Sequence, residues 1–221
     1  TDNERRIFSS FFGWLSGEEY IPKDICKPLK KVKAPQRKKK AFTEIEIQKI
    51  KDGCMKLNGE LACKRAIALV EFLLSTGCRV GEIALLKKSD IDLDARTALV
   101  FGKGSKERIV YLNQVSKMRL MEYWDVRKDE SEFAFAPLKK SSQRNVTVSG
   151  LETIIRKLGK ISGVSECHPH RFRRTCATIA IKKGMSLIDV QRMLGHESMD
   201  TTKIYLDLDD TDLRHQHEKY M

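Results

Sequence analysis

Apolar residues first recur at helical spacing in ERRIFSSFFGWLS, residues 4 to 16, where Ile7, Phe8, Phe11, Phe12 and Leu15 fall on one face. Thirteen residues cannot bury such a stripe alone, so its partners are expected upstream of Thr1. The pattern then stops. KPLKKVKAPQRKKK, residues 27 to 40, holds eight Lys or Arg, two Pro and no acid, which predicts a stiff, charged linker. Periodicity resumes after Thr43, where Glu46 three residues on gives a capping-box signature and a helix over about 44 to 57. A second helix over about 60 to 76 turns Ala66, Leu69, Val70, Leu73 and Leu74 inward and stops at Gly77. CRVGEIALL then predicts a turn and a small helix. TALVFG and ERIVYL, rich in β-branched and aromatic residues, flank KGSK as a hairpin, and FAFAP at 133 to 137 predicts a further short strand. Helices are predicted over about 114–129, 150–161, 170–183, 186–194, 201–206 and 211–219. The fold class is α+β, mostly helical with one small antiparallel sheet, divided into segments 1–26, 27–41 and 42–221.

Charge narrows the partners. The 221 residues carry 42 Lys and Arg against 30 Asp and Glu, a formal charge of +12, and a basic linker is suited to crossing a phosphate backbone. A hydrophobic content of 41% is enough for a packed interior, while 33% charged residues exclude a membrane-embedded body. No apolar run approaches the roughly 18 to 20 residues that cross a bilayer, and TDNERRIF lacks a secretory pattern. The six cysteines are scattered without a C-x-x-C pair, which fits a reducing, cytoplasmic setting.

Three familiar chemistries fail on spacing. Asp90, Asp92 and Asp94 alternate as in a calcium loop, but Ala95 stands where the turning Gly belongs and Phe101 where the bidentate Glu belongs. Lys103 in GKGSK lacks the earlier Gly of a phosphate-binding loop, its place being held by Thr97. Cys167, His168, His170 and Cys176 invite a metal, but His168-Pro169-His170 leads into a helix on which Cys176 falls with Phe172 and Ile179. Neither metal nor cofactor is expected.

What remains is a set of cations and imidazoles on separate elements. Arg79 follows a buried helix, and Glu82 three residues on is its natural neutralising partner. His170 and Arg173 share a helix face, with Pro169 at the helix start. Gly195 closes SLIDVQRML as a left-handed cap, His196 follows it, and Tyr205 comes nine residues later. Each has an ordinary structural reading: an ion pair, a helix face, a loop imidazole, a half-buried tyrosine.

Together the pieces resemble the tyrosine recombinase, or phage integrase, family. TGCRVGEIALL matches its first arginine motif, FGKGSKERIVYL its hairpin lysine, HPHRFRRTCAT its H-x-x-R, and LGHESMDTTKIY its second histidine and nucleophile. The order matches over about residues 41 to 210, and RRIFSSFFGWL is similar to the last helix of the family's N-terminal core-binding domain, which makes 1–26 a remnant of that domain. The resemblance implies that Tyr205 attacks the scissile phosphate of double-stranded DNA, forming a 3′-phosphotyrosyl bond and releasing a 5′-hydroxyl, with no metal and no ATP. It further implies that Arg79 and Arg173 hold the non-bridging oxygens, that Lys103 protonates the leaving oxygen, that His170 and His196 bond the phosphate or take the phenol proton, and that Glu82 orients the cluster. A homotetrameric synapse with a C-terminal segment passed between protomers is implied as well. Arg174 follows the H-x-x-R arginine where relatives often have His, and His168 stands where a small polar residue is usual. Lys38, Lys39, Lys40, Lys106, Arg108, Arg171 and Arg174 are expected as phosphate contacts. The alternatives are a DNA-binding protein without cleavage activity and a type IB topoisomerase-like relaxing enzyme.

Overall fold

A computed structural model describes residues 2–30, 40–102, 107–138 and 145–195. The chain divides into two compact units, Thr1–Lys39 and Lys40–Met221. In the first, α1 (Asp2–Gly17) spans the periodic stretch. Its apolar stripe buries nothing completely: Ile7, Phe8, Phe11 and Trp14 are exposed, and the rings meet each other, Phe11 edge-on to Phe12 at 5.4 Å and Trp14 against Tyr20 at 5.8 Å.

The second unit is built around α3 (Glu60–Thr76), whose middle turns bury Ala66, Ala68, Leu69, Val70, Phe72 and Leu73. It packs against α2 (Glu44–Met55), α5 (Gln114–Val126) and α7 (Pro169–Lys182), while α2 and the short α4 (Val80–Leu85) pack on α6 (Val148–Ser162). The capping box at α2 forms as the sequence predicts: Glu46 N–H donates to Thr43 Oγ1 at 3.2 Å and Thr43 N–H to Glu46 Oε2 at 2.9 Å. Phe172 of α7 is fully buried, edge-on to Phe42 at 4.8 Å, so truncating it to Ala is expected to cost about 3–5 kcal/mol.

The sheet has three antiparallel strands in the order β1 (Ile91–Asp92), β2 (Thr97–Phe101), β3 (Glu107–Tyr111). The hairpin pairs Leu99 with Ile109, Val100 with Arg108 and Phe101 with Glu107. Its inner face is Ala98, Val100 and Val110, all buried. The third strand is not FAFAP. That segment makes a single bridge, Phe133 to Lys87, and is held by isolated backbone bonds, Ala134 N–H to the Leu86 carbonyl at 2.8 Å among them, and by side chains: Arg127 donates to the carbonyls of Phe133 and Ala134, and Trp124 Nε1 to Ala134. Arg127 also ends α5 sooner than the periodicity suggested. The acidic run that failed as a calcium loop supplies the real third strand and its turn, with Asp92 Oδ1 accepting from the N–H groups of Asp94 and Ala95.

Helix α7 is followed by α8 (Leu187–Leu194), packed on it through Ala177, Val190 and Leu194. The helices predicted at 201–206 and 211–219 lie outside the described residues. No described helix is long and apolar enough to cross a membrane.

Candidate active site

The site forms where α3 ends, α4 and α7 begin, and the hairpin closes. Gly77 ends α3 at φ 60°, a left-handed cap that favours glycine, and a Cβ there would lie 2.7 Å from Leu194 Cδ2, which would have to give way. Two residues on, Arg79 caps α4 without a side-chain acceptor. Glu82 supplies the return bond, its Oε2 accepting the Arg79 N–H at 2.7 Å, while Arg79 Nη1 donates to Oε1 at 3.0 Å. Glu82 Oε2 also accepts from Arg108 Nη2 at 2.6 Å. One carboxylate, 2% exposed, therefore serves two guanidiniums. It orients both and cancels only one charge. Arg79 gives Nη2 to the Gly195 carbonyl at 3.2 Å and, 40% exposed, still faces solvent.

Helix α7 contributes from its first turn. His168 caps it, with Nδ1 accepting the Arg171 N–H at 3.3 Å, and Pro169 opens it. His170 and Arg173, three residues apart, point the same way. Arg173 is buried and fixed by two carbonyls, Gly77 at 2.7 Å from Nη1 and Leu194 at 2.6 Å from Nη2. Bonds to carbonyls fix a guanidinium without discharging it.

Arg79, Glu82, Phe101, Gly102, His170 and Arg173 line one open cleft of about 380 Å³. Cationic forks with an exposed imidazole make an anion site, and planar guanidiniums suit the paired oxygens of a phosphate. Cys78 is the only thiol or hydroxyl among the described residues that line it. Burial pushes it up to about 11, in spite of Arg108 beside it, and the neighbouring Cys176 up to about 12. Burial thus favours the protonated thiol at both, which makes them poor nucleophiles. Among the described residues no group of three or more His, Cys, Asp or Glu is placed to hold a metal; Cys176 packs on Gly77, Cys167 on Gly159, and His168 is occupied as a cap.

The sequence reading thus finds Arg79, Glu82, His170 and Arg173 gathered in one place. Lys103, His196 and Tyr205 lie outside the described residues, as do Lys38, Lys39 and Lys106. Two expected phosphate contacts are placed differently. Arg171 is buried and not placed to meet a phosphate: it gives Nη2 to both oxygens of Glu46 at 2.9 and 2.8 Å, further donors to the carbonyls of Lys40, Ala41 and Ser165, and lies 4.1 Å from the centre of the Phe42 ring. It pins the start of the second unit, including Lys40 and Ala41, which the sequence placed in the linker. Arg108 faces inward, toward Glu82 and α8. Arg174 is half-buried, and Lys40 keeps an exposed side chain. Arg108 was the miss with a legible signal, since it has the strand parity of buried Val110.

A model of the phage integrase family matches residues 40–212. The chain belongs to this family, the tyrosine recombinases. It is 31% identical over 220 residues to tyrosine recombinase XerC of Pediococcus pentosaceus, a match covering 96% of this chain and 72% of that protein. It is 30% identical to tyrosine recombinase XerA of Saccharolobus solfataricus, covering 92% of this chain and 63% of the relative. For XerC of Corynebacterium glutamicum the match is 36% over 141 residues, covering 64% of this chain and 46% of the relative. The chain thus spans between about half and about three quarters of these relatives. The crystal structure of XerA recombinase superposes with a TM-score of 0.71 at 29% identity, over 88% of this chain and 67% of that one. XerH in its post-cleavage complex with palindromic difH substrate has the same fold, with a TM-score of 0.77 at 24% identity over 98% of this chain and 65% of that one.

Proposed function

We propose that this chain is the catalytic part of a site-specific recombinase that cuts and rejoins double-stranded DNA through a phosphotyrosine at Tyr205. The observation that carries the reading is the cleft itself: Arg79 and Arg173, 94 positions apart in the chain, converge with His170 on one anion-sized site. The missing parts adjoin it in sequence. Gly102 lines the cleft and Lys103 follows it; Gly195 bonds Arg79 through its carbonyl at 3.2 Å, and His196 follows that.

In this reading Arg79 and Arg173 stabilise the charge that grows on the non-bridging oxygens as the phosphorus becomes five-coordinate. The Tyr205 oxygen forms a bond to phosphorus, the bond to the 5′-oxygen breaks, and Lys103 protonates the leaving oxygen. The phenol proton passes to an imidazole, His170 or His196. The phosphodiester energy is kept in the phosphotyrosyl bond, so a second 5′-hydroxyl reverses the step without ATP. The neighbours solved as recombinase–DNA complexes support a DNA partner; a homotetrameric synapse acting in the cytoplasm is part of the proposal, as the family resemblance implies.

The test is a nicked suicide duplex carrying the target site. A covalent protein–DNA adduct is expected with the wild type and none with Tyr205→Phe. An adduct that survives the substitution overturns the nucleophile; tight binding with no adduct at all leaves a non-cleaving DNA-binding protein; relaxation of supercoils without strand exchange points to topoisomerase-like action.

A further inference from the structure

Helix α8 ends on three successive carbonyls, and each accepts from a different arginine. Met193 takes Arg108 Nη1 at 2.8 Å, Leu194 takes Arg173 Nη2 at 2.6 Å, and Gly195 takes Arg79 Nη2 at 3.2 Å. The last carbonyls of a helix lack partners within it and carry the negative end of its dipole, so cations there are favoured. Two of the three arginines belong to the proposed reaction. We propose that the third, Arg108, is a positioning residue for strand cleavage: it locks Glu82 against Arg79 and fixes the end of α8, from which the chain runs on to His196 and Tyr205. The inference rests on the cleavage reading above.

The hairpin register dictates that Arg108 faces inward. It pairs with Val100 and shares the parity of Val110, both buried, and its side chain is 14% exposed. That orientation takes it away from any phosphate on the outer face. Its planar fork spans two elements at once, Nη2 on Glu82 Oε2 at 2.6 Å and Nη1 on the Met193 carbonyl at 2.8 Å. A lysine ammonium, a single point of charge, cannot reproduce that fork geometry. The stem matters as well. Gly195 adopts φ 65°, and a Cβ on it would lie 2.7 Å from Arg108 Cδ and 2.9 Å from Nε, so the arginine lies directly on the turn. Without Arg108, Glu82 has Arg79 as its remaining ion-pair partner among the described residues, the Met193 carbonyl loses this donor, and the turn before His196 loses its cover. A displacement of about 1 Å in a reacting group costs on the order of 10²-fold in rate.

The experiment compares the full chain as wild type, Arg108→Ala and Arg108→Lys in three measurements: single-turnover adduct formation on the suicide duplex at saturating DNA, DNA affinity across a salt series, and amide hydrogen exchange without DNA. Arg108→Ala is expected to slow adduct formation by on the order of 10²-fold while affinity stays within about threefold and its salt slope is unchanged. Arg108→Lys is expected to recover part of the rate. Exchange over 190–195 is expected to quicken in Arg108→Ala while α3 and α6 stay protected. If affinity falls in step with rate and the salt slope drops by about one, Arg108 is a phosphate contact and the proposal is overturned. Wild-type rates in Arg108→Ala overturn it too. Should Arg108→Ala fail to fold, Arg108→Lys carries the comparison, and wild-type rate with wild-type exchange there refutes the bridge. If the wild type itself forms no Tyr205 adduct, the cleavage reading has failed, and with it the positioning role; the exchange measurement then decides only whether Arg108 pins α8.

Discussion

Two carboxylate–guanidinium clusters flank α7, and they are built on opposite principles. Around Glu46 a single guanidinium, Arg171, engages both carboxylate oxygens, with the Phe42 ring beneath it and carbonyls taking its other donors. Around Glu82 two guanidiniums share one carboxylate. The first cluster is balanced and closed, joining the start of the unit to α7, where Thr175 Oγ1 adds a bond from the Phe42 N–H at 2.8 Å. The second carries surplus positive charge and opens on the cleft. A carboxylate matched by one cation builds structure; a carboxylate outnumbered by cations orients them and leaves charge for an anion. Helix α7 serves both because Arg171 and Arg173, two positions apart, lie about 200° apart around its axis.

The sharpest way to break the contrast is to remove one arginine from each face. Arg173→Ala is expected to slow adduct formation by on the order of 10²- to 10³-fold, the scale of one lost transition-state donor, while DNA affinity changes far less. Equal losses in rate and affinity would make it a binding residue. Arg171→Ala should behave in the opposite way. Removing one partner of a buried pair costs about 3–5 kcal/mol, and because Glu46 is partly exposed the expected loss here is smaller, about 2 kcal/mol in urea unfolding. The folded Arg171→Ala protein should form adduct within about threefold of the wild-type rate. A variant that unfolds at the wild-type midpoint yet cleaves as slowly as Arg173→Ala would erase the distinction.

The same contrast explains what could be read in advance. Arg79, Glu82, His170 and Arg173 were legible because each sits beside a local signal: a helix stop at Gly77, an i, i+3 pair, a Pro-led helix start. Arg171 was misread because its partner is Glu46, 125 positions away, and charge spacing along one helix carries no trace of that pairing; with Arg174 it was expected as a phosphate contact. Arg108 was legible and missed. Grouping it with Lys106 by charge set aside the two-residue period that ties it to Val110. FAFAP reads as a strand from composition, but Ala134, Phe135 and Ala136 are core residues, Ala134 held through its carbonyl by Arg127 and Trp124, and burial alone favours the same residue types that strands do. The third strand hid in Ile91 and Asp92, too short for any period to show.

The smallest expected effect separates the balanced cluster from the surplus one by pH. Burial pushes the Glu46 carboxyl up, but the Thr43 N–H and Arg171 together outweigh it and hold the group below its ordinary value of 4.5. A depressed carboxyl stabilises the fold above the unfolded value, and that contribution is lost as pH falls through the folded one. In urea unfolding, wild type should therefore exceed Glu46→Gln by a constant margin from neutral pH down to about 5, and the margin should shrink through the acid range and close once Glu46 is protonated in the folded protein. Adduct formation at neutral pH should be nearly the same in both proteins, because nothing in the cleft touches this carboxylate. A margin that persisted in strong acid would show that Gln disturbs packing and not the Arg171 pair; a margin matched by a slower cleavage rate would mean that the two sides of α7 are coupled, and that the pin at Phe42 helps to set His170 and Arg173.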